Sequence, residues 1–158
     1  MPQAIDRLLK VKDLMTKNVI TIDSKHNAMD AAKLMKSKKI ASLVVTKGNM
    51  PFGIVTERDF VRLICAENLQ SKDTKLIDIT SSPLITVKPD ATIEDAAKMM
   101  AKNKIRRIVV VEDDAIAGIL TATDLAAYLI KHRRGAKQVL LALTRNVKSV
   151  GSRYIFEV

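Results

Sequence analysis

The chain has 158 residues, 47 % apolar but only 3 % aromatic, so it can bury a sizeable core and must build it from Ile, Val, Leu, Ala and Met. No apolar run approaches the roughly 18 residues of a membrane span, and the opening Met1-Pro2-Gln3-Ala4-Ile5-Asp6 has neither the charged start nor the apolar stretch of a secretory signal. The single cysteine, Cys65, excludes an internal disulfide, and with only His26 and His132 beside it no zinc site of ordinary ligand count can form.

These features make a cytoplasmic protein with no membrane segment the simplest expectation. The net charge of +10 is uneven: residues 131–158 carry seven Lys/Arg against one acid, Glu157, and so hold +6 of it. A tail this basic serves either solubility or contact with nucleic acid, an anionic surface or an acidic partner.

In chain order, Asp6–Leu14 reads as an entry helix and Val19–Ile22 as a short β-branched strand. Asn27 with Asp30 three residues on resembles a capping box, with Asp in place of Glu. Apolar residues at 28, 31, 32 and 35 then mark one buried helical face. Leu43–Thr46 and Phe52–Val55 are the next strands, joined by a turn at Lys47-Gly48-Asn49, and a helix is expected near Glu57–Asn68.

The same order then recurs. Shifted by 65 positions, Val11–Phe60 lies on Leu76–Leu125 without a gap, and 16 of those 50 positions are identical. Lys75–Ile79 takes the place of the entry segment and Leu84–Val87 that of the first strand. Thr92 with Asp95 opens the helix whose apolar face is 93, 96, 97 and 100. Ile108–Val111 and Ile116–Leu120 flank a turn at Glu112-Asp113-Asp114, and a helix follows near Ala122–Lys131. The expected fold is α+β: two β-α-β-β-α repeats, residues 5–70 and 71–131, followed by a basic extension over 132–158. In that extension Gly135 ends a helix, and Val139–Thr144 and Tyr154–Val158 have strand-like composition about a turn at Ser149-Val150-Gly151-Ser152, as in a hairpin.

Chemistry concentrates in Gly53-Ile54-Val55-Thr56-Glu57-Arg58-Asp59 and its twin Gly118-Ile119-Leu120-Thr121-Ala122-Thr123-Asp124. Each is Gly-h-h-Thr-x-x-Asp, with h apolar: a strand ends, and Thr and Asp bracket the first turn of a helix. Such a turn offers free backbone N–H groups and a partial positive charge beside a hydroxyl and a carboxylate. Phosphate or ribose hydroxyls would be well served there. The same Thr-x-x-Asp is equally a plain helix cap, and duplication copies caps as faithfully as sites.

The tandem order and this motif, with Val11-Lys12-Asp13-Leu14-Met15-Thr16, Pro89-Asp90-Ala91-Thr92 and Lys104-Ile105-Arg106-Arg107-Ile108-Val109-Val110-Val111, resemble a pair of cystathionine-β-synthase (CBS) domains, also called a Bateman module, over about residues 5–131. The resemblance implies two units packed sheet to sheet about a pseudo-twofold axis, with two clefts that take AMP, ADP, ATP or S-adenosylmethionine as regulatory ligands, and no required cofactor. It assigns ribose hydroxyls to Asp59 and Asp124, and ribose or phosphate to Thr56 and Thr121. It sets Thr16, Ile20, Ala41 and Ser42 across from Asp124, and Ser81, Ile85, Arg106 and Arg107 across from Asp59. It further implies a homodimer and a regulated protein partner of unknown identity.

The two copies differ where Arg106-Arg107 stand against Ala41-Ser42, and paired guanidinium groups suit phosphates. Neighbours on a strand point to opposite faces, so one of the two is expected to serve, and Arg107 is the choice. Arg58 is either a further phosphate contact or simply exposed. A catalytic centre would need a nucleophile, an acid–base pair or a metal set. No His, Cys or Lys constellation of that kind accompanies the Asp and Thr, so no catalytic or metal residue is assigned and no enzyme is expected. The alternative function is nucleic-acid binding through the basic tail, with the repeats as a dimerisation platform.

Overall fold

The computed structural model describes residues 9–131. The sequence-based expectations for 132–158, and for the entry helix before residue 9, lie outside them. Element order is α1 (Val11–Leu14), β1 (Thr21–Asp23), α2 (Ala28–Lys38), β2 (Ser42–Lys47), β3 (Met50–Thr56) and α3 (Glu57–Phe60). A π-helical turn (Val61–Cys65) and a 3₁₀ turn (Leu76–Ile79) follow, then β4 (Thr86–Val87), α4 (Ile93–Asn103), β5 (Arg107–Glu112), β6 (Ala115–Thr121) and α5 (Ala122–Lys131). The two three-stranded sheets run β1-β2-β3 and β4-β5-β6.

Packing divides the described residues into two compact units. One holds residues 17–86 with 111–117; the other holds 9–16, 87–110 and 118–131. The entry segment of the first repeat therefore packs with the second repeat's helices and last strand.

In the first unit, β1 pairs parallel with β2, and β2 pairs antiparallel with β3. The parallel step requires a crossover, and α2 supplies it. Helix α2 starts where Asn27 accepts a hydrogen bond from the Asp30 N–H at 2.9 Å, and stops at Lys39 in the left-handed region. Its buried face is Ala28, Ala31 and Met35, against Leu43 and Val45 of β2 and Val55 of β3 in one core. Each of the Met, Leu and Val side chains contributes about 1.5–3 kcal/mol when fully buried. Val44 is buried as well, so β2 reads as a continuous apolar run instead of an alternating one. Pro51, which has no N–H to give, sits on β3 at the sheet edge.

In the second repeat, Thr92 Oγ1 accepts from the Asp95 N–H at 3.1 Å to start α4, and Ile93, Ala96, Ala97 and Met100 are buried. Asp113 and Asp114, at φ 47° and 62°, turn the chain from β5 into β6, as a two-residue hairpin with both central φ positive requires.

Several boundaries differ from the sequence reading. The first strands are shorter than Val19–Ile22 and Leu84–Val87, because the register with β2 begins at Thr21, opposite Val44, and the second copy keeps only Thr86–Val87. The helix expected over Glu57–Asn68 winds as α only to Phe60. It then widens, with the Ala66 N–H donating to the Val61 carbonyl at 2.9 Å, and Asn68 adopts a left-handed φ of 52°. The segment before the second repeat is a single 3₁₀ turn.

Candidate functional site: two threonine–aspartate turns

Each Gly-h-h-Thr-x-x-Asp segment runs off a strand edge into a helix, and the two local geometries coincide. The Thr56 N–H donates to Asp59 Oδ2 at 2.8 Å and the Thr56 hydroxyl to the same oxygen at 2.7 Å. Thr121 makes the same two bonds to Asp124 Oδ2, at 2.8 and 2.7 Å. In the second turn the bond is reciprocated by the Asp124 N–H on Thr121 Oγ1 at 3.2 Å. One carboxylate oxygen is thus committed to the cap. Oδ1 of each aspartate makes no hydrogen bond among the described residues. Both aspartates and both threonines are half-buried, so a second acceptor remains within reach of a ligand hydroxyl.

The start of the second strand closes each turn. The Glu57 N–H donates to the Ala41 carbonyl at 3.2 Å, and the Ala122 N–H to the Arg106 carbonyl at 2.8 Å. Ser42 lies directly opposite Thr56 in the ladder. Within their own units, therefore, Ala41 and Ser42 adjoin the Thr56–Asp59 turn, and Arg106 adjoins the Thr121–Asp124 turn. Arg106, just before β5, is exposed and Arg107, its first residue, half-buried. Arg58 is exposed. Ile20 is packed against the first unit's core and Ile85 is half-buried.

The glycines have a role that the sequence reading did not find. Thr16 and Ile119 exchange two backbone hydrogen bonds, both 2.9 Å, and Ser81 and Ile54 exchange two at 2.9 and 3.0 Å. An entry segment is thereby laid across each motif strand two residues before its threonine. At Gly118 an added Cβ would stand 2.6 Å from Met15 Sδ and 2.9 Å from the Thr16 carbonyl oxygen. At Gly53 it would stand 2.5 Å from Thr80 Cγ2 and 2.6 Å from the Ser81 carbonyl oxygen. Only glycine lets the backbones approach so closely. Thr16 is brought to the Thr121–Asp124 turn and Ser81 to the Thr56–Asp59 turn, both exposed. The signal in the sequence was the register of Gly53 and Gly118 with the entry segments one repeat earlier and one later.

The perturbed carboxylates lie away from the turns. The Lys12 ammonium, 2.7 Å from Asp90, holds that carboxyl below its usual range, and the hydrogen bond to the His26 ring does the same for Asp30. Among the described residues no three His, Cys, Asp or Glu side chains gather as a metal site would need, and no helix is long and apolar enough to cross a membrane.

Two β-α-β-β-α repeats, each ending in a Thr-x-x-Asp turn bridged by an entry segment, define a tandem CBS-domain architecture. The CBS domain family matches residues 11–66 and 76–131, and the chain belongs to it. It is 31 % identical over 116 residues to the CBS domain-containing protein YhcV of Bacillus subtilis, covering 73 % of this chain and 82 % of that one. Other relatives are longer: the chain spans 33 % of one from Methanocaldococcus jannaschii. Among solved structures, a hexameric CBS-CP12 protein from bloom-forming cyanobacteria aligns with a TM-score of 0.73 at 29 % identity, covering 91 % of this chain and 83 % of that chain. A CBS-domain protein of Burkholderia ambifaria assigned to signal transduction aligns with a TM-score of 0.70 at 27 % identity, covering 75 % and 87 %.

Proposed function

We propose that this chain is a non-catalytic regulatory module that takes an adenosine-containing ligand (AMP, ADP, ATP or S-adenosylmethionine) at its Thr-x-x-Asp turns and signals by a change of shape or of partner affinity. The observation that carries the reading is the identity of the two turns: each holds one aspartate oxygen in the cap and leaves the other as an acceptor. A ribose diol needs such an acceptor, and Arg107, half-buried where the first repeat has Ser42, favours phosphate on one site over the other. The signal-transduction assignment of the Burkholderia neighbour and the hexameric state of the cyanobacterial one support a regulatory, self-associating protein.

Calorimetric titration of AMP, ADP, ATP, S-adenosylmethionine and NAD against the full chain tests the reading, with Asp59→Ala and Asp124→Ala run beside it. Saturable heat from at least one adenosine ligand, reduced in one or both variants, is expected. Silence from all five ligands, or unchanged binding in both variants, refutes it. The +6 charge of residues 131–158 favours one second reading, nucleic-acid binding through the tail; salt-sensitive binding abolished by deleting residues 133–158 would select it.

A further inference from the structure

Each Thr–Asp turn is reached by a strap of chain, and the two straps are anchored at corresponding places. The entry segment lies on the start of α4: the Ile93 N–H donates to the Leu9 carbonyl at 3.2 Å and the Val11 N–H to the Ala91 carbonyl at 2.9 Å. It ends where Thr16 bridges Ile119. One repeat on, residues 74–81 lie on the start of α2 in the same way. The Ala28 N–H donates to the Thr74 carbonyl at 2.9 Å and the Leu76 N–H to the His26 carbonyl at 3.0 Å, and this strap ends where Ser81 bridges Ile54. The side chains at the anchors differ. On the entry strap, Lys12 Nζ stands 2.7 Å from Asp90 Oδ1; Lys10 Nζ is 3.9 Å from the same oxygen and donates to the Asp90 carbonyl at 2.9 Å. On the linker strap, Lys25 takes the position of Asp90, Lys75 that of Lys10 and Ile77 that of Lys12. Lys25 and Lys75 are both exposed, and neither has an ion-pair partner among the described residues. The carboxylates near Lys25 in sequence are engaged within their own segment: Asp23 Oδ1 accepts from the Lys25 N–H at 2.9 Å, and Asp30 is hydrogen-bonded to the His26 ring at 3.2 Å.

We propose that the linker strap, residues 74–81, is the one that opens, so that the first Thr–Asp turn changes shape while the second stays pinned. An exposed ion pair adds little to global stability. Opening a surface segment, however, takes only a fraction of the free energy of global unfolding, so a small charge difference decides which of two matched segments opens first. Attraction to Asp90 closes the entry strap, and like charge at Lys25 and Lys75 loosens the linker strap. The Met29 N–H donates to the Ser71 carbonyl at 3.1 Å, an anchor upstream of the strap about which it can lift. Lifting parts Ser81 from Ile54, frees the edge of β3 two residues before Thr56 and withdraws Ser81 from the turn. The inference goes beyond the nucleotide reading and does not depend on it.

Native-state hydrogen exchange of the full chain, followed amide by amide by NMR, tests this. It compares matched amides: Leu76 with Val11, Ala28 with Ile93 and Ser81 with Thr16. Protection is taken relative to the Val45 and Val110 amides, which lie in fully buried residues and report global unfolding, so a variant that merely weakens the whole fold is recognised. The first amide of each pair should be about fivefold less protected, the equivalent of roughly one exposed ion pair. Asp90→Lys gives the entry strap the lysine that the linker strap has, and should remove the difference. Lys25→Asp should raise the protection of Leu76 and Ala28 about as much. Added salt should narrow the gap from both sides, because it screens attraction and repulsion alike. Equal protection of the matched amides in the parent, a difference that survives Asp90→Lys, or a difference indifferent to salt overturns the proposal.

Discussion

Replacing Gly53 by alanine inserts one methyl group where the structure has no room for it. The new Cβ would meet the Thr80 methyl at 2.5 Å and the Ser81 carbonyl oxygen at 2.6 Å. A side-chain methyl can turn aside, but a backbone carbonyl moves only with its strand. The obstruction therefore has to be relieved by parting Ser81 from Ile54, which exchange two backbone hydrogen bonds. Overpacking of this kind costs ~1–3 kcal/mol and the loss of one of the two bonds a further ~1 kcal/mol, so a destabilisation of about 2–4 kcal/mol is expected. Urea unfolding followed by circular dichroism should show the midpoint lowered by about 1–2 M. Gly48→Ala is the control: it has no neighbour within 4 Å of an added Cβ but a φ of +63°, so it should cost only the ~1–2 kcal/mol of left-handed strain. Adding Thr80→Ser to Gly53→Ala removes the methyl contact but leaves the carbonyl, and rescue should be partial at most. Full rescue, or a Gly53→Ala cost no larger than that of Gly48→Ala, would refute the claim that backbone approach is what requires glycine here.

Further outcomes follow from other contacts. Asp124→Asn keeps the side chain's shape but places a neutral amide where the carboxylate accepts from the Thr121 N–H and hydroxyl; a loss of ~1 kcal/mol in stability is expected, together with weaker adenosine binding by calorimetry. Arg107→Ala should lower affinity for ATP about tenfold, the size of one charge-assisted hydrogen bond, while leaving adenosine unaffected; an equal loss for both ligands would remove the phosphate role. The Asp90 carboxyl sits below its ordinary value of 3.8 because of Lys12, so its contribution to stability is present above that value and disappears as pH falls through the lowered one. Asp90→Asn should therefore melt below the parent at neutral pH, and the two melting curves should converge in acid.

Local chemistry was legible wherever one residue type decides the geometry. Asn27 and Thr92 cap their helices as their spacing to Asp30 and Asp95 suggested, and the aspartate pair at 113–114 makes the turn read from composition. The helical faces were legible too, since position 32 alone among the eight core positions stays half-exposed. Strand ends were less legible. Val19 and Ile20 are as apolar as ladder residues, and apolarity says nothing of where pairing begins. The π-helical turn at Val61–Cys65 had no signal, because the same side chains support either winding. At the site, the Thr–Asp pairing was visible from a three-residue spacing. The bridging of each motif strand by an entry segment needed a partner distant in sequence, and only the paired glycines hinted at it.

The two bridged strands also set an order of assembly. Ile54 and Ser81 are 27 residues apart, whereas Thr16 and Ile119 are separated by 103. Closing the longer loop costs more chain entropy, and on a ribosome it must await the emergence of Ile119. Both partners of the first bridge are available long before then, so the sheet edge that carries the first motif can be finished while the second motif does not yet exist. Pulse-labelled hydrogen exchange during refolding should find the Ile54 and Ser81 amides protected ahead of those of Thr16 and Ile119; simultaneous protection would mean that the two edges form as one event. Two motifs nearly alike in sequence would then have different histories in every molecule made.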